Sequence, residues 1–303
     1  MANMNILITG ANGLLGQYLV RDLSKAGYTI TATGRGHKRL PEYAEAHYTY
    51  IPLDITNKAE VEQVVEAARP DVIVHAAAMT QPDACELNKE ECRKTNVLAT
   101  SYLAAAAAKT GSTIIYLSTD FVFDGKEGPY KEDDIPAPVN YYGASKLEAE
   151  EIIKQSNTRW AIVRTVLVYG NILSGTRSNV VTWVKDNLEQ RKNIKVVDDQ
   201  IRTPTYVEDL SKSILLIIQH NAEGIYHISG KEVLTPYQMA VQVADYFSLD
   251  KALMEKVNAA TFSQPAQRPL KTGFVITKAE KELGFAPVGF TEGIRRMFPQ
   301  ITH

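Results

Sequence analysis

The chain has 303 residues, 45% of them hydrophobic and 22% charged, with a formal net charge of −2. That is room for one large domain, or two sharing a core, in the composition range of soluble globular proteins. The balanced charge argues against an electrostatic nucleic-acid binder, and no apolar run approaches the ~20 residues needed to span a bilayer, so neither nucleic acid nor membrane is an expected partner.

Short apolar runs alternate with helical patterns through the first half, the signature of a parallel sheet covered on both faces. Residues 5–9 read as a strand, 14–26 as a helix and 28–33 as a second strand. The first strand begins almost at Met1, leaving no room for a cleaved signal, so a cytoplasmic location is expected. A helix over 61–68 and a strand over 71–75 follow. Residues 86–109 predict one long alanine-rich helix, 113–118 a strand, 141–155 a helix and 160–165 a strand. Such an order implies a doubly wound, Rossmann-type α/β sheet whose ligand crevice lies outside the carboxyl ends of the strands.

The second half is less regular. Helices are expected over 180–190, 207–219 and 236–246, and strands over 194–197 and 224–229, while Pro265, Pro269, Pro287 and Gly289 break up the tail. The expected organisation is a dinucleotide-binding domain over residues 1–170, with segments near 194–229 returning to it. A smaller, discontinuous substrate lobe is expected from 171–193 and 230–303. Cys85 and Cys92, the only cysteines, stand seven apart on the expected long helix. They are too few for a metal site and poorly placed for a disulfide, and read as semi-buried reduced thiols.

Between the first strand and helix, Thr9-Gly-Ala-Asn-Gly-Leu-Leu-Gly16 places glycines at 10, 13 and 16. Glycine there allows a tight turn and brings phosphate to backbone N–H groups at the positive helix end, so Gly10, Asn12, Gly13, Leu14, Leu15 and Gly16 are candidate dinucleotide contacts. The second strand ends in Gly34-Arg35-Gly36, with Lys38 and Arg39 behind and no carboxylate. Arg35 can pair with a 2′-phosphate, which favours NADP(H) and leaves NAD(H) possible. Asp54-Ile55 is placed to hold adenine, and Ala76, Ala77 and Ala78 leave room for a cofactor to pass. His75 reads as packing beside the dinucleotide.

Tyr142 and Lys146 stand four apart on a predicted helix, where i and i+4 share a face. A cation beside a phenol favours its ionised form and turns it into a usable proton donor or acceptor. The spacing is common by chance; its place just beyond Ser118-Thr119-Asp120 and after the glycine loop gives it weight.

With the glycine loop, the Tyr-x-x-x-Lys pair resembles the extended short-chain dehydrogenase/reductase superfamily. His75-Ala-Ala-Ala-Met-Thr80, Ser118-Thr-Asp-Phe-Val-Phe-Asp-Gly125, Arg164-Thr-Val-Leu-Val-Tyr-Gly170, Asp199-Gln-Ile-Arg-Thr-Pro-Thr205 and Arg268-Pro269 are similar to the dTDP-4-dehydrorhamnose reductase family over nearly the whole chain. The resemblance implies NADPH-dependent reduction of a nucleotide-linked 4-keto-6-deoxy sugar. Thr119 and Ser118 would lie at the carbonyl, Tyr142 would give the proton, and Lys146 would bind ribose and lower the Tyr142 pKa. Asn96 would support a relay water or be an ordinary helix residue. On the substrate side the candidates are Thr80, Asp120, Phe121, Arg177, Arg202 and Arg268. Family members are often dimers, so a homodimer is possible; some use Mg²⁺, although no ligand cluster here compels a metal.

Phe121 replaces the family's usual tyrosine, Leu167 its tryptophan, and Arg202 a common glycine. All three departures bear on the sugar rather than on the cofactor. Two other readings stay open. One is a sugar-nucleotide epimerase; a dehydratase is disfavoured because Asp120 supplies only one carboxylate beside Thr119. The other is a non-catalytic dinucleotide-binding subunit like the beta subunit of methionine adenosyltransferase.

Overall fold

The computed structural model describes residues 4–43, 48–175 and 178–299. Its strands and helices, in chain order, are β1 (Asn5–Thr9), α1 (Leu14–Lys25), β2 (Thr29–Gly34), β3 (Tyr48–Pro52), α2 (Lys58–Ala68), β4 (Val72–His75), α3 (Pro82–Leu87), α4 (Lys89–Arg93), α5 (Ala99–Thr110), β5 (Thr113–Thr119), α6 (Tyr141–Lys154) and β6 (Trp160–Thr165). There follow β7 (Val168–Tyr169), α7 (Val180–Glu189), β8 (Ile194–Val197), β9 (Thr205–Tyr206), α8 (Val207–His220), β10 (Gly224–Ile228), α9 (Pro236–Phe247), β11 (Met254–Val257), α10 (Thr277–Leu283) and α11 (Phe290–Met297).

Seven strands form one parallel sheet in the order β10-β6-β5-β4-β1-β2-β3. The order reverses between β1 and β4, which places the crevice at their carboxyl ends. Strand residues alternate between two buried faces, as a doubly covered sheet requires. Ile6 and Ile8 join a core with α1, α8 and α10 residues such as Leu19, Ile214 and Ala279. Leu7 faces the opposite core with Val61, Leu103 and Ile153 from α2, α5 and α6. A third cluster, built on Val181, Val184, Met239, Val243 and Ile294, forms the second lobe. Gln17 and Tyr18 of α1 tie that lobe to the sheet: Gln17 Nε2 donates to Ser174 O at 2.8 Å and Tyr18 Oη to Asn171 O at 2.8 Å. No helix among the described residues is long and apolar enough to cross a membrane.

Two expectations need correction. Residues 86–109 are not one helix. Glu86 belongs to α3, Asn88 breaks the run, and α4 and α5 are joined by a π-helical segment at Lys94–Leu98. Cys85 and Cys92 therefore sit on separate short helices, both fully buried, with Cys85 Sγ donating to Met79 O and Cys92 Sγ to Ser145 Oγ, each at 3.5 Å. Secondly, residues 194–197 do not return to the main sheet. β8 pairs with β11 in a two-stranded parallel sheet of the second lobe, while β10 takes the edge beside β6. A short amphipathic strand fits either sheet, and here β8 packs against α9 and β11 of the second lobe.

Leu19 is fully buried between α1 and the sheet. Leu19→Ala is expected to cost about 2–5 kcal/mol, read as a lower denaturant midpoint with unchanged slope.

Candidate active site

The crevice is built on close backbone approach. Gly10 has φ +73°, and a Cβ there would lie 2.8 Å from Ala77 N and 2.9 Å from Ala77 Cα. Only glycine lets the β1–α1 turn press against the end of β4. Gly13 is the N-cap of α1, with no side-chain cap on its N–H groups. That helix end is open to an anion, and Leu14, Leu15 and Gly16 form its first turn. The residues therefore fit a dinucleotide pyrophosphate, with Ala76, Ala77 and Ala78 lining the way beyond.

Asn12 acts as a brace. Its Nδ2 donates to Tyr50 Oη at 2.8 Å and to His37 O at 3.2 Å, and its Oδ1 accepts from Arg39 N at 2.9 Å. The glycine loop is thereby fastened to the loop carrying Arg35, which is exposed at the end of β2. Asp54 Oδ1 accepts from Thr56 N and Oγ1 at 2.9 and 2.8 Å; those bonds, with a lesser contribution from Arg35, hold its carboxyl below the usual range. Ile55 is buried beside it.

His75 is packed at the end of β4, immediately before Ala76. Its ring is 1% exposed, bonded to Thr9 Oγ1 at 2.9 Å and Thr100 Oγ1 at 3.0 Å. Burial first, and Lys146 second, push its pKa down to about 3, so it is neutral. Asn96 is likewise committed: Oδ1 accepts from Met79 N at 2.8 Å, while Nδ2 donates to Met79 O and Ser145 Oγ, both at 3.0 Å. It pins the loop that leads from Ala78 to Thr80.

The carboxyl end of β5 and the start of α6 meet at the centre. Asn140 caps α6, and a Cβ on Gly143 would fall 2.0 Å from Phe121 O. That contact draws Tyr142 to the turn after Thr119. The Tyr142 ring is 8% exposed and edge-on to Phe121 at 5.8 Å. Burial raises its pKa, opposed by a hydrogen bond with Thr119. At neutral pH the phenol therefore keeps its proton. Thr119 Oγ1 donates to Asp120 Oδ1 at 3.1 Å and accepts from Phe121 N at 3.2 Å. Asp120 is fully buried, and burial raises its pKa against the pull of Arg202 and a hydrogen bond from Thr272.

Lys146 corrects the expected electrostatics. Its Nζ donates to Leu117 O at 2.6 Å and lies 4.1 Å from the centre of the Tyr116 ring. Burial lowers its pKa to about 7, with Glu150 opposing. An amine only partly charged at neutral pH, and aimed at the strand, does not acidify Tyr142 in this arrangement. Ser118 also departs from expectation, because its hydroxyl donates to Glu150 Oε1 at 2.5 Å.

On the substrate side, Arg202 is not available to a pyrophosphate. It is 5% exposed, and its guanidinium donates to Ile201 O, Leu270 O, Gln200 Oε1 and Pro269 O at 2.7–3.1 Å. An arginine in place of glycine has become a clamp between two loops. Arg268 pairs bidentately with Asp83 at 2.8 and 2.7 Å, so an anion would have to compete with that carboxylate. Arg177 lies outside the described residues. Thr80 is exposed beyond Ala78. Leu167 takes φ +37° and is 40% exposed.

Sequence reasoning missed Glu150, Arg164 and Asp83. Glu150 had a readable signal: four residues after Lys146 and eight after Tyr142, it continues the same helix face. Asp83 had none, since its partner lies 185 residues away.

Comparison with known proteins places this geometry. The RmlD substrate binding domain family matches residues 4–303. The chain is 34% identical over 257 residues to methionine adenosyltransferase 2 subunit beta of Xenopus laevis, covering 83% of this chain and 74% of that protein. It is 31% identical over 291 residues to the spore coat polysaccharide biosynthesis protein SpsK of Bacillus subtilis (strain 168), covering 96% and 95%. Among solved structures it is similar to dTDP-4-dehydrorhamnose reductase from Bacillus anthracis str. Ames in complex with NADP. The TM-score there is 0.85 and the identity 31%, over 98% of this chain and 99% of that one.

The buried amine makes a signed prediction. The folded pKa of Lys146 lies near 7, below its ordinary 10.5. The unfolded chain therefore binds more protons between these values, and this group makes stability rise as pH rises from about 7 to about 10. Lys146→Met should melt higher than wild type at pH values below 7, with the gap closing over that window in paired melting curves.

Proposed function

The chain belongs to the RmlD substrate binding domain family, and on that footing we propose that it reduces a nucleotide-linked 4-keto-6-deoxy sugar with NADPH. The observation that carries the reading is a Tyr142 buried against Phe121, two residues after Thr119, at the crevice end of β5. Gly10 to Gly16 and Ala76 to Ala78 would hold the dinucleotide, and exposed Arg35 suits a 2′-phosphate. When bound, NADPH supplies the hydride. The chain's own residues manage charge and proton. Tyr142 gives its phenolic proton to the carbonyl oxygen as negative charge develops there. Thr119 exchanges its Asp120 partner for that same oxygen. Lys146, with a pKa near neutrality, would return a proton to the phenolate on turning from Leu117 O.

The sugar's identity rests with Phe121, Leu167 and Thr80, and the nucleotide's pyrophosphate with Arg268. A second reading, a non-catalytic regulatory subunit, has a specific observation in its favour, the 34% identity to methionine adenosyltransferase 2 subunit beta. NADPH oxidation followed by absorbance, with dTDP- and UDP-linked keto sugars, separates the readings. Sustained oxidation supports the reductase. Dinucleotide binding without turnover of any sugar favours the regulatory role, and sugar interconversion without net NADPH consumption favours an epimerase.

Tyr142→Phe should bind NADPH as wild type does while turnover falls ~10²-fold or more; equal turnover would refute the proton-donor role. Arg268→Met should raise KM for the nucleotide sugar about tenfold and leave NADPH affinity unchanged in a fluorescence titration.

A further inference from the structure

Under the proton-transfer site lies a buried polar cluster that carbonyl reduction does not itself use. Glu150 on α6 and Arg164 on β6 have side chains 0% and 1% exposed. The guanidinium meets the carboxylate at 2.9 Å through Nε and 2.7 Å through Nη2, while Nη1 lies 3.4 Å from His227 Nε2. Burial of such a pair is seldom a gain in stability, because apolar side chains of similar volume often do as well. Its geometry points to another use. Ser118 and Arg164 are register partners on adjacent strands, so both face α6. A hydroxyl carries one proton, and Ser118 gives its proton to Glu150. Ser118 can then only accept hydrogen bonds at the site. One helical turn before Glu150, Lys146 donates to the carbonyl of Leu117, the residue preceding Ser118. Two adjacent residues of β5 are thus fastened to successive turns of α6.

We propose that Glu150, clamped by Arg164, is a positioning residue of the active site: it fixes Ser118 as an acceptor and holds the end of β5 against the turns of α6 that carry Tyr142 and Lys146. The groups facing Lys146 are Glu150 on its own helix, Cys92 from α4, Cys85 from α3, Tyr116 from β5 and His75 from β4. His75 is neutral, the Tyr116 phenol and the Cys85 thiol are shifted up and hold their protons, and the Cys92 thiol is shifted down. Glu150 is the carboxylate of this set. It opposes the burial that strips Lys146 of its proton. The inference depends on the reductase reading only for its effect on turnover; the clamp acts on Lys146 whatever the substrate.

Two variants test it. Glu150→Gln removes the charge but strands a buried guanidinium, so Glu150→Gln/Arg164→Met is made alongside to leave no orphan cation. The readout is an NMR titration of the Lys146 Cε signal, assigned with Lys146→Arg, together with NADPH affinity across pH. The Lys146 midpoint is expected to fall by about one unit in Glu150→Gln and by less in the double variant, where loss of the Arg164 cation offsets loss of the carboxylate; the pH above which NADPH binding weakens should follow the same order. A lower melting temperature with both midpoints unmoved would mark a merely structural pair and overturn the proposal. If the midpoints shift yet wild type oxidises NADPH with no nucleotide sugar, the positioning role stands and the reductase reading falls.

Discussion

The site depends on one piece of carpentry, the fastening of α6 to the carboxyl end of β5. Lys146 bonds to Leu117 O, Ser118 bonds to Glu150, and Gly143 lets the first turn of the helix reach Phe121 O. These contacts are local in space but cross about thirty residues of chain. They bring a phenol, a threonine hydroxyl and an amine to the same strand end. Because β5 lies beside β4 in the parallel sheet, that strand end opens on the crevice where β1 and β4 diverge. The Tyr142 cluster and the glycine loop therefore lie at one edge of one sheet.

Burial is what gives these groups their character. Tyr142 keeps its proton because its ionised form would lose solvation, and the same loss leaves Lys146 only partly charged. Taken alone, the phenol and amine four residues apart suggest mutual stabilisation of phenolate and ammonium. Packed under Cys85 and Cys92 and over Tyr116, each instead shifts toward its neutral form. Such burial shifts the phenol up and the amine down in pKa. It is also costly to fold around, which is a common feature of active sites.

The substrate side shows how arginine can change its job with its surroundings. Arg202 donates to backbone carbonyls of 201, 269 and 270 and has become structural, and Arg268 already has a carboxylate partner in Asp83. Both belong to strings that match the family, yet neither presents a free guanidinium. Asn96 and His75 tell the same story on the cofactor side. Their polar atoms are spent on Met79, Ser145, Thr9 and Thr100, and that expenditure keeps the loop after β4 in place.

What the sequence determined by itself was whatever depends on short range: the strand and helix periods of the first half, the glycine turn at residues 10–16, and the shared helix face of Tyr142 and Lys146. Glycine spacing and i, i+4 geometry are fixed by backbone stereochemistry, so they survive translation from letters to space. Tertiary structure alone decided the rest. It set the partner of β8, the break in the helix at Asn88, the direction of the Ser118 proton, and which arginines were already paired. Each of these turns on contacts between segments far apart in the chain. A hydrogen-bonding side chain has no fixed partner until packing has decided what lies within three ångströms of it.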